Sequence, residues 1–99
     1  MAVKVYGSNV CPATLKALEI FTEHGYMPVF VNVTGSISLL KEFLYFRDTN
    51  PLYKDIIGSG SIGFPLFQLE DGTYTIDARK AFASVGIDAS LSFTSEPLK

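Results

Sequence analysis

The sequence predicts an α/β domain in which short apolar strands alternate with helices in the order β-α-β-α-β-β-α. An apolar strand over residues 3–6 runs through a Gly-Ser-Asn turn into a helix that begins at Cys11. A second apolar strand is predicted over residues 28–33, at the spacing of a right-handed βαβ unit with parallel strands. Further along, an Asp-Gly pair at 71–72 lies between two apolar runs and is typical of a hairpin.

The helices are delimited by residues that favour helix starts and ends. Pro12 is suited to the first turn of the first helix, which is predicted to end at Gly25. Ser36 is the predicted cap of a second helix over residues 37–47. The later elements are a short helix over 51–57 capped by Asn50, a Gly-Ser loop over 58–61, hairpin strands over 64–69 and 74–76, and a helix over 78–85 capped by Asp77.

Length and composition limit the classes of function. The 99 residues suit one domain, predicted over residues 1–86, with a tail over 87–99 that could add a short strand. A formal net charge of -2 gives no basic surface for nucleic acid. Without a signal-peptide pattern or a membrane-spanning apolar run, we expect a cytoplasmic protein with no membrane partner. One cysteine and one histidine exclude an internal disulfide and the usual single-chain zinc site, so no metal is expected.

Cys11 is the candidate nucleophile. The start of a helix offers unpaired N–H groups and the positive end of the helix dipole, and both favour a thiolate over a thiol. A lone cysteine is otherwise often a small, inert apolar residue. Thr14, one turn further on, either donates its hydroxyl to this thiolate or bonds to the local backbone.

Three short motifs have the order and spacing found in glutaredoxins: Cys11-Pro12-Ala13-Thr14, Gly63-Phe64-Pro65, and Asp71-Gly72 followed by Thr75-Ile76-Asp77. Over residues 3–86 the chain therefore resembles the glutaredoxin family of the thioredoxin superfamily. The resemblance implies a thioredoxin-like fold with a mixed four-stranded sheet flanked by helices. It also implies a monothiol variant, because Thr14 stands where the second cysteine of the Cys-Pro-x-Cys active site would be. The Cys-Gly-Phe-Ser motif of iron–sulfur-carrying members is absent, which argues against that role.

The resemblance further implies a thiol–disulfide oxidoreductase of cell redox homeostasis, with glutathione as co-substrate and Cys11 as the catalytic residue. Its partners would be glutathionylated or disulfide-bonded thiols, and a homodimer is compatible with it. The implied glutathione-binding residues are Thr14, Phe64, Pro65, Ile76 and Asp77. Pro65 matches the family's cis-proline, and the backbone of Phe64 would pair with the cysteinyl part of glutathione. The helix start at Ile76 and Asp77 would hold the γ-glutamyl end.

Ser8 departs from the family pattern, because many glutaredoxins have a lysine three residues before the cysteine. The loss of one charge-assisted contact, worth about 1.5–3 kcal/mol, predicts glutathione binding that is weaker by a factor of about ten or more. Replacing Ser8 with lysine is then expected to tighten that binding.

Two other functions fit the sequence. A redox-silent thioredoxin-fold module would bind a peptide or partner chain through the edge at Pro65 and an apolar surface. An enzyme like the arsenate reductases also needs a cysteine at a helix start, but the cluster of downstream arginines that it requires is missing. Turnover of a glutathione mixed disulfide separates the first function from these two.

Overall fold

One mixed sheet of four strands organises the part of the chain that the structure describes. The computed structural model describes residues 2–88. Its strands are β1 (Lys4–Gly7), β2 (Val29–Asn32), β3 (Leu66–Gln68) and β4 (Tyr74–Thr75), and its α-helices are α1 (Pro12–Glu23), α2 (Ile37–Thr49) and α3 (Ala78–Ser84). Short 3-10 helices follow β2 and α2, at Val33–Gly35 and Pro51–Tyr53.

The strands lie side by side in the order β2-β1-β3-β4. β1 is parallel to β2, whereas the pairs β1–β3 and β3–β4 are antiparallel. The predicted α/β class, with a parallel βαβ unit followed by a hairpin, is therefore confirmed. The arrangement is compatible with the thioredoxin-like fold that the family resemblance implies.

Helices cover both faces of the sheet, because successive side chains of a strand point to opposite faces. On one face, Val5 and Phe67 pack against Phe21 of α1 and Phe82 of α3, and all four side chains are fully buried. On the other face, Tyr6 and the buried Leu66 pack in a cluster formed with α2 and the two 3-10 helices, whose other buried members are Val33, Phe43 and Tyr53. Burial of this apolar surface is the main force that holds the three layers together.

Several predicted boundaries change in the structure. The short helix predicted over 51–57 is a single 3-10 turn, Pro51–Tyr53, followed by hydrogen-bonded turns. β3 begins at Leu66 and not at residue 64, and proline at 65 has no N–H to donate to a ladder. α2 continues two residues beyond its predicted end, to Thr49.

At the carboxyl end, α3 stops at Ser84 and the chain turns through Gly86. Ile87 is buried in the cluster that α1 and α3 share, so packing extends one residue past the predicted domain boundary at 86. The strand suggested for the tail falls in residues 89–99, outside the described residues. Across residues 2–88, no helix combines the length and apolar character needed to cross a membrane.

Tyr53 fixes the segment that leads into Pro65. Its ring meets the rings of Phe43 and Phe46 edge-on, and its hydroxyl donates a 3.0 Å hydrogen bond to the carbonyl oxygen of Gly63. Burial raises the pKa of Tyr53, which keeps the hydroxyl in its donating form. Gly63 has φ +90°, and a Cβ there would overlap the Tyr53 ring. Glycine is therefore required at 63 both by its backbone angle and by this close approach.

We expect Gly63→Ala to destabilise the protein more than Gly60→Ala does. Both glycines have positive φ, but the space around Gly60 is open whereas Gly63 touches Tyr53. The left-handed angle alone costs alanine about 1–2 kcal/mol, and overpacking against Tyr53 adds about 1–3 kcal/mol. Urea unfolding of the two variants measures the difference in free energy of unfolding. Equal losses would show that the Tyr53 contact contributes nothing.

Candidate active site

The topology brings the sequence-predicted residues to one edge of the sheet. β1, β2 and β4 all end at this edge, and β3 begins there. Tyr6 is paired with Leu66, so continuing the register by one residue places Gly7 opposite Pro65. The register of β3 with β4 likewise places Pro65 opposite Asp77, two residues beyond the last pair. The Cys11 loop, Pro65 and Asp77 therefore share one end of the fold.

Cys11 is the residue immediately before α1, in extended conformation with φ -96° and ψ 115°. Its N–H donates to the carbonyl oxygen of Ser8 at 3.1 Å, and its own carbonyl oxygen accepts from the N–H of Leu15 at 3.1 Å. The side chain makes no capping hydrogen bond, and the residue is half-buried. The backbone of Cys11 is therefore held firmly while its thiol is left available at the helix start.

A chain of hydrogen bonds holds the Cys11 loop against the end of β2. The N–H of Val10 donates to Ser8 Oγ at 3.2 Å, and Ser8 Oγ lies 2.6 Å from Thr34 Oγ1. Thr34 Oγ1 donates to Asn32 Oδ1 at 3.2 Å, and this oxygen also accepts from the N–H of Asn9 at 3.2 Å. Because a hydroxyl carries one proton and Thr34 gives its proton to Asn32, Ser8 must be the donor to Thr34. We call Ser8, Thr34 and Asn32 the hydroxyl relay.

The hydroxyl relay changes the role expected for Ser8. Its side chain is 2% exposed and points into the protein rather than toward a ligand. A lysine at this position would have to bury its ammonium group or break the hydrogen bonds to Thr34 and Val10. Ser8→Lys is therefore expected to disrupt the loop and not to tighten glutathione binding as the sequence alone suggests.

Thr14 is the local backbone partner, which is one of the two roles that the sequence left open. The residue is fully buried, and its Oγ1 accepts a 3.4 Å hydrogen bond from the N–H of Ser8. Its side chain packs so closely on Gly7 that a Cβ at residue 7 would overlap it. Thr14 has no exposed surface, although the family resemblance assigns it to the glutathione-binding set.

Phe64 and Pro65 form the opposite side of this edge. The Phe64–Pro65 bond is cis, as predicted, and Pro65 is buried. The Phe64 ring packs against Phe43 in a tilted arrangement with 4.7 Å between ring centroids, which anchors the segment to α2. No hydrogen bond joins the backbone of Phe64 to any other of residues 2–88, so an extended ligand could pair there.

Asp77 is the cap of α3, as the sequence predicted. Its Oδ1 accepts from the N–H of Arg79 at 3.0 Å, and its own N–H donates to Thr75 Oγ1 at 3.0 Å. Within residues 2–88 no hydrogen bond is made by Oδ2, which leaves this oxygen for a cation. Ile76 is half-buried and packs in the cluster around Tyr53, so its side chain serves the core.

Two exposed apolar residues lie close to Cys11 along the chain. Val10 immediately precedes Cys11 and is 77% exposed, and Leu15, one helical turn after it, is 47% exposed. An apolar surface next to a thiol suits contact with another protein or peptide chain.

Sequence reasoning missed the hydroxyl relay, although a signal for it was present. Ser8 follows β1 directly, and Asn32 and Thr34 lie at the end of β2. The carboxyl ends of neighbouring parallel strands meet at one edge of a sheet, so polar residues at both ends are expected to come together.

Comparison of the chain with protein-family models, curated proteins and solved structures finds no match.

We expect Thr34→Val and Ser8→Ala to destabilise the protein in a coupled way. Each removes a hydroxyl of the same hydrogen bond, at a cost of about 1–2 kcal/mol in free energy of unfolding. The double variant should lose less than the sum of the single variants by about 0.5–1 kcal/mol, because the second change removes a bond already broken. Urea unfolding of the four proteins measures this coupling.

Thr22→Val is the matched control, because Thr22 is exposed and its hydroxyl bonds only within α1. Its effect should stay within about 0.5 kcal/mol. Strictly additive losses at residues 8 and 34 would contradict the relay.

Proposed function

We propose that this protein is a glutaredoxin-like monothiol thiol–disulfide oxidoreductase with a thioredoxin-like fold, acting in the cytoplasm on mixed disulfides of glutathione. The observation that carries the proposal is the position of Cys11, a half-buried residue at the start of α1 on the same sheet edge as Phe64–Pro65 and Asp77. The family resemblance of the three motifs supports the same assignment.

The start of α1 suits an anionic sulfur. The first N–H groups of a helix have no partner within the helix, and the helix dipole places positive charge at this end. Pro12 follows Cys11 directly and holds the first turn in helical shape. The unpaired N–H groups and the helix dipole both favour a thiolate at such a position, and the thiolate is the form of cysteine that attacks disulfides.

The reaction proceeds by two thiol–disulfide exchanges. In the first, Cys11 Sγ attacks the glutathione sulfur of a mixed disulfide and forms a bond to it. The bond to the substrate sulfur breaks, and its electron pair leaves as a thiolate that takes a proton from water. In the second exchange, a glutathione thiolate attacks the glutathione sulfur on Cys11. Oxidised glutathione leaves, and the Cys11 thiolate is restored; the net reaction consumes one glutathione thiol for each substrate thiol released.

Glutathione would lie as an added strand beside the unpaired backbone of Phe64. Its sulfur would face Cys11 from the side of Pro65. Its γ-glutamyl ammonium would meet Asp77 Oδ2, and Ile76 would contribute backbone only, since its side chain packs inward. The fully buried Thr14 takes no part.

Cys11→Ser should abolish glutathione-dependent reduction of a glutathionylated peptide and leave the fold intact. Serine keeps the size of the side chain, but its hydroxyl is not ionised at neutral pH and attacks disulfides poorly. The measurement couples release of oxidised glutathione to glutathione reductase at neutral pH. Circular dichroism of the variant shows that the protein is folded.

A folded wild-type protein without turnover would exclude the oxidoreductase and leave the redox-silent binding module. The exposed Val10 and Leu15 beside an inert cysteine would then form part of its contact surface.

Asp77→Asn should weaken glutathione binding about tenfold without unfolding the protein. Asparagine caps helices as well as aspartate does, but it replaces a charge-assisted contact of about 1.5–3 kcal/mol with a neutral one of about 1 kcal/mol. Calorimetric titration of glutathione into the Cys11→Ser background measures the affinity. Asp55→Asn removes the same charge at an exposed position and serves as control; equal affinities for the two variants would place the ligand elsewhere.

A further inference from the structure

A groove lies between the end of α2 and the Gly-Ser loop that precedes Gly63. It has a volume of about 290 Å³ and is lined by Arg47, Gly58, Gly60, Ser61 and Ile62. One lining residue is a cation and none is a carboxylate. Cys11 is not among them, so the groove is distinct from the thiol site.

Arg47 presents an unused hydrogen-bonding face. Its side chain is 22% exposed, and its Nε donates to Asp48 Oδ1 at 3.1 Å. Its two Nη groups donate no hydrogen bond within residues 2–88. An arginine in the last turn of α2 would interact with the helix dipole equally well if its side chain were fully exposed. The dipole therefore does not explain why Arg47 is largely buried. The free Nη pair has the geometry that binds two oxygens of a carboxylate or phosphate.

The loop adds backbone donors to the same groove. Ser59 N–H donates to the carbonyl oxygen of Ile56, and Ser61 N–H donates to Ser59 Oγ. By contrast, the N–H groups of Gly58, Gly60 and Ile62 have no acceptor among residues 2–88. A Cβ at Gly58 or Gly60 would meet no atom within 4 Å, so the space above this backbone is open.

We propose that this groove is an oxyanion site that binds a phosphate or carboxylate group of a small ligand. Nη1 and Nη2 of Arg47 take two of its oxygens, and the free N–H groups of the loop contact the rest. Backbone N–H groups in a glycine-rich loop combined with an arginine are a recurrent solution for binding oxyanions. The groove is larger than the anionic group itself, so it also takes the adjoining part of the molecule. This inference does not depend on the oxidoreductase function.

The negative charge of Asp48 disfavours a bound anion, so removing this charge is expected to increase the affinity, whereas removing Arg47 is expected to lower it. The Asp48 carboxylate holds Nε of Arg47, which orients the guanidinium, but its negative charge also weakens the attraction for an anion. Asp48→Asn is therefore expected to bind anions more tightly than the wild type.

The experiment is an NMR titration of the full chain with inorganic phosphate, with sodium chloride at matched ionic strength as reference. Phosphate should shift the amide signals of Gly58, Gly60 and Ile62 in a saturable way. Arg47→Gln should raise the dissociation constant at least about tenfold, and Arg47→Lys should also weaken binding because lysine lacks the fork. Acetate in a parallel titration distinguishes a preference for carboxylate from one for phosphate.

Arg79→Gln is the matched control, because it removes one exposed arginine on α3 and should leave the dissociation constant unchanged. If Arg47→Gln does not fold, tighter binding by Asp48→Asn supports the site. An equal loss of phosphate affinity in the Arg47 and Arg79 variants would overturn the proposed site, because the loss would then reflect only the change in net charge.

Discussion

The position of Cys11 depends on the hydrogen bond between the hydroxyls of Ser8 and Thr34. The parallel strands β1 and β2 both end beside this hydrogen bond, and the loops that follow them lie beyond the hydrogen bonds of the sheet. The 2.6 Å contact joins these loops, and Asn32 extends the connection to the N–H of Asn9. On the other side, Thr14 packs on Gly7 and accepts from Ser8. The loop before the cysteine is therefore held by β2 and α1 at once, which fixes the backbone that leads into the half-buried Cys11.

The opposite wall of the site is held by aromatic packing and by one side-chain hydrogen bond. Phe43 contacts both Tyr53 and Phe64, so one α2 side chain supports the segment before and at the cis bond. The Tyr53 hydroxyl then satisfies the Gly63 carbonyl, a polar group that would be costly to bury unpaired. Both sides of the candidate site thus depend on residues that a ligand would never touch.

Periodicity and end signals were enough to predict the order of elements, the parallel unit and the hairpin. Caps at Ser36, Asn50 and Asp77 are confirmed, because capping depends on local chemistry that sequence shows directly. The role of Ser8 was not predicted, and the sequence left two roles open for Thr14, because burial depends on what a distant segment places beside a residue. The length of the short helix after Asn50 was overestimated for the same reason. Tyr53 points inward and bonds to Gly63, so tertiary packing overrides the local helical preference.

The inward orientation of Ser8 has a practical consequence for redesign of the site. Ser8→Lys, the substitution that the resemblance to glutaredoxins suggests, would place a positive charge on the buried side of the loop and not on its exposed side. Asn9 and Val10 are the exposed residues of the same loop, and the contacts that hold them there are made by their backbone N–H groups. A designer who wants to alter the charge around Cys11 can therefore vary these two side chains and retain the scaffold that carries it.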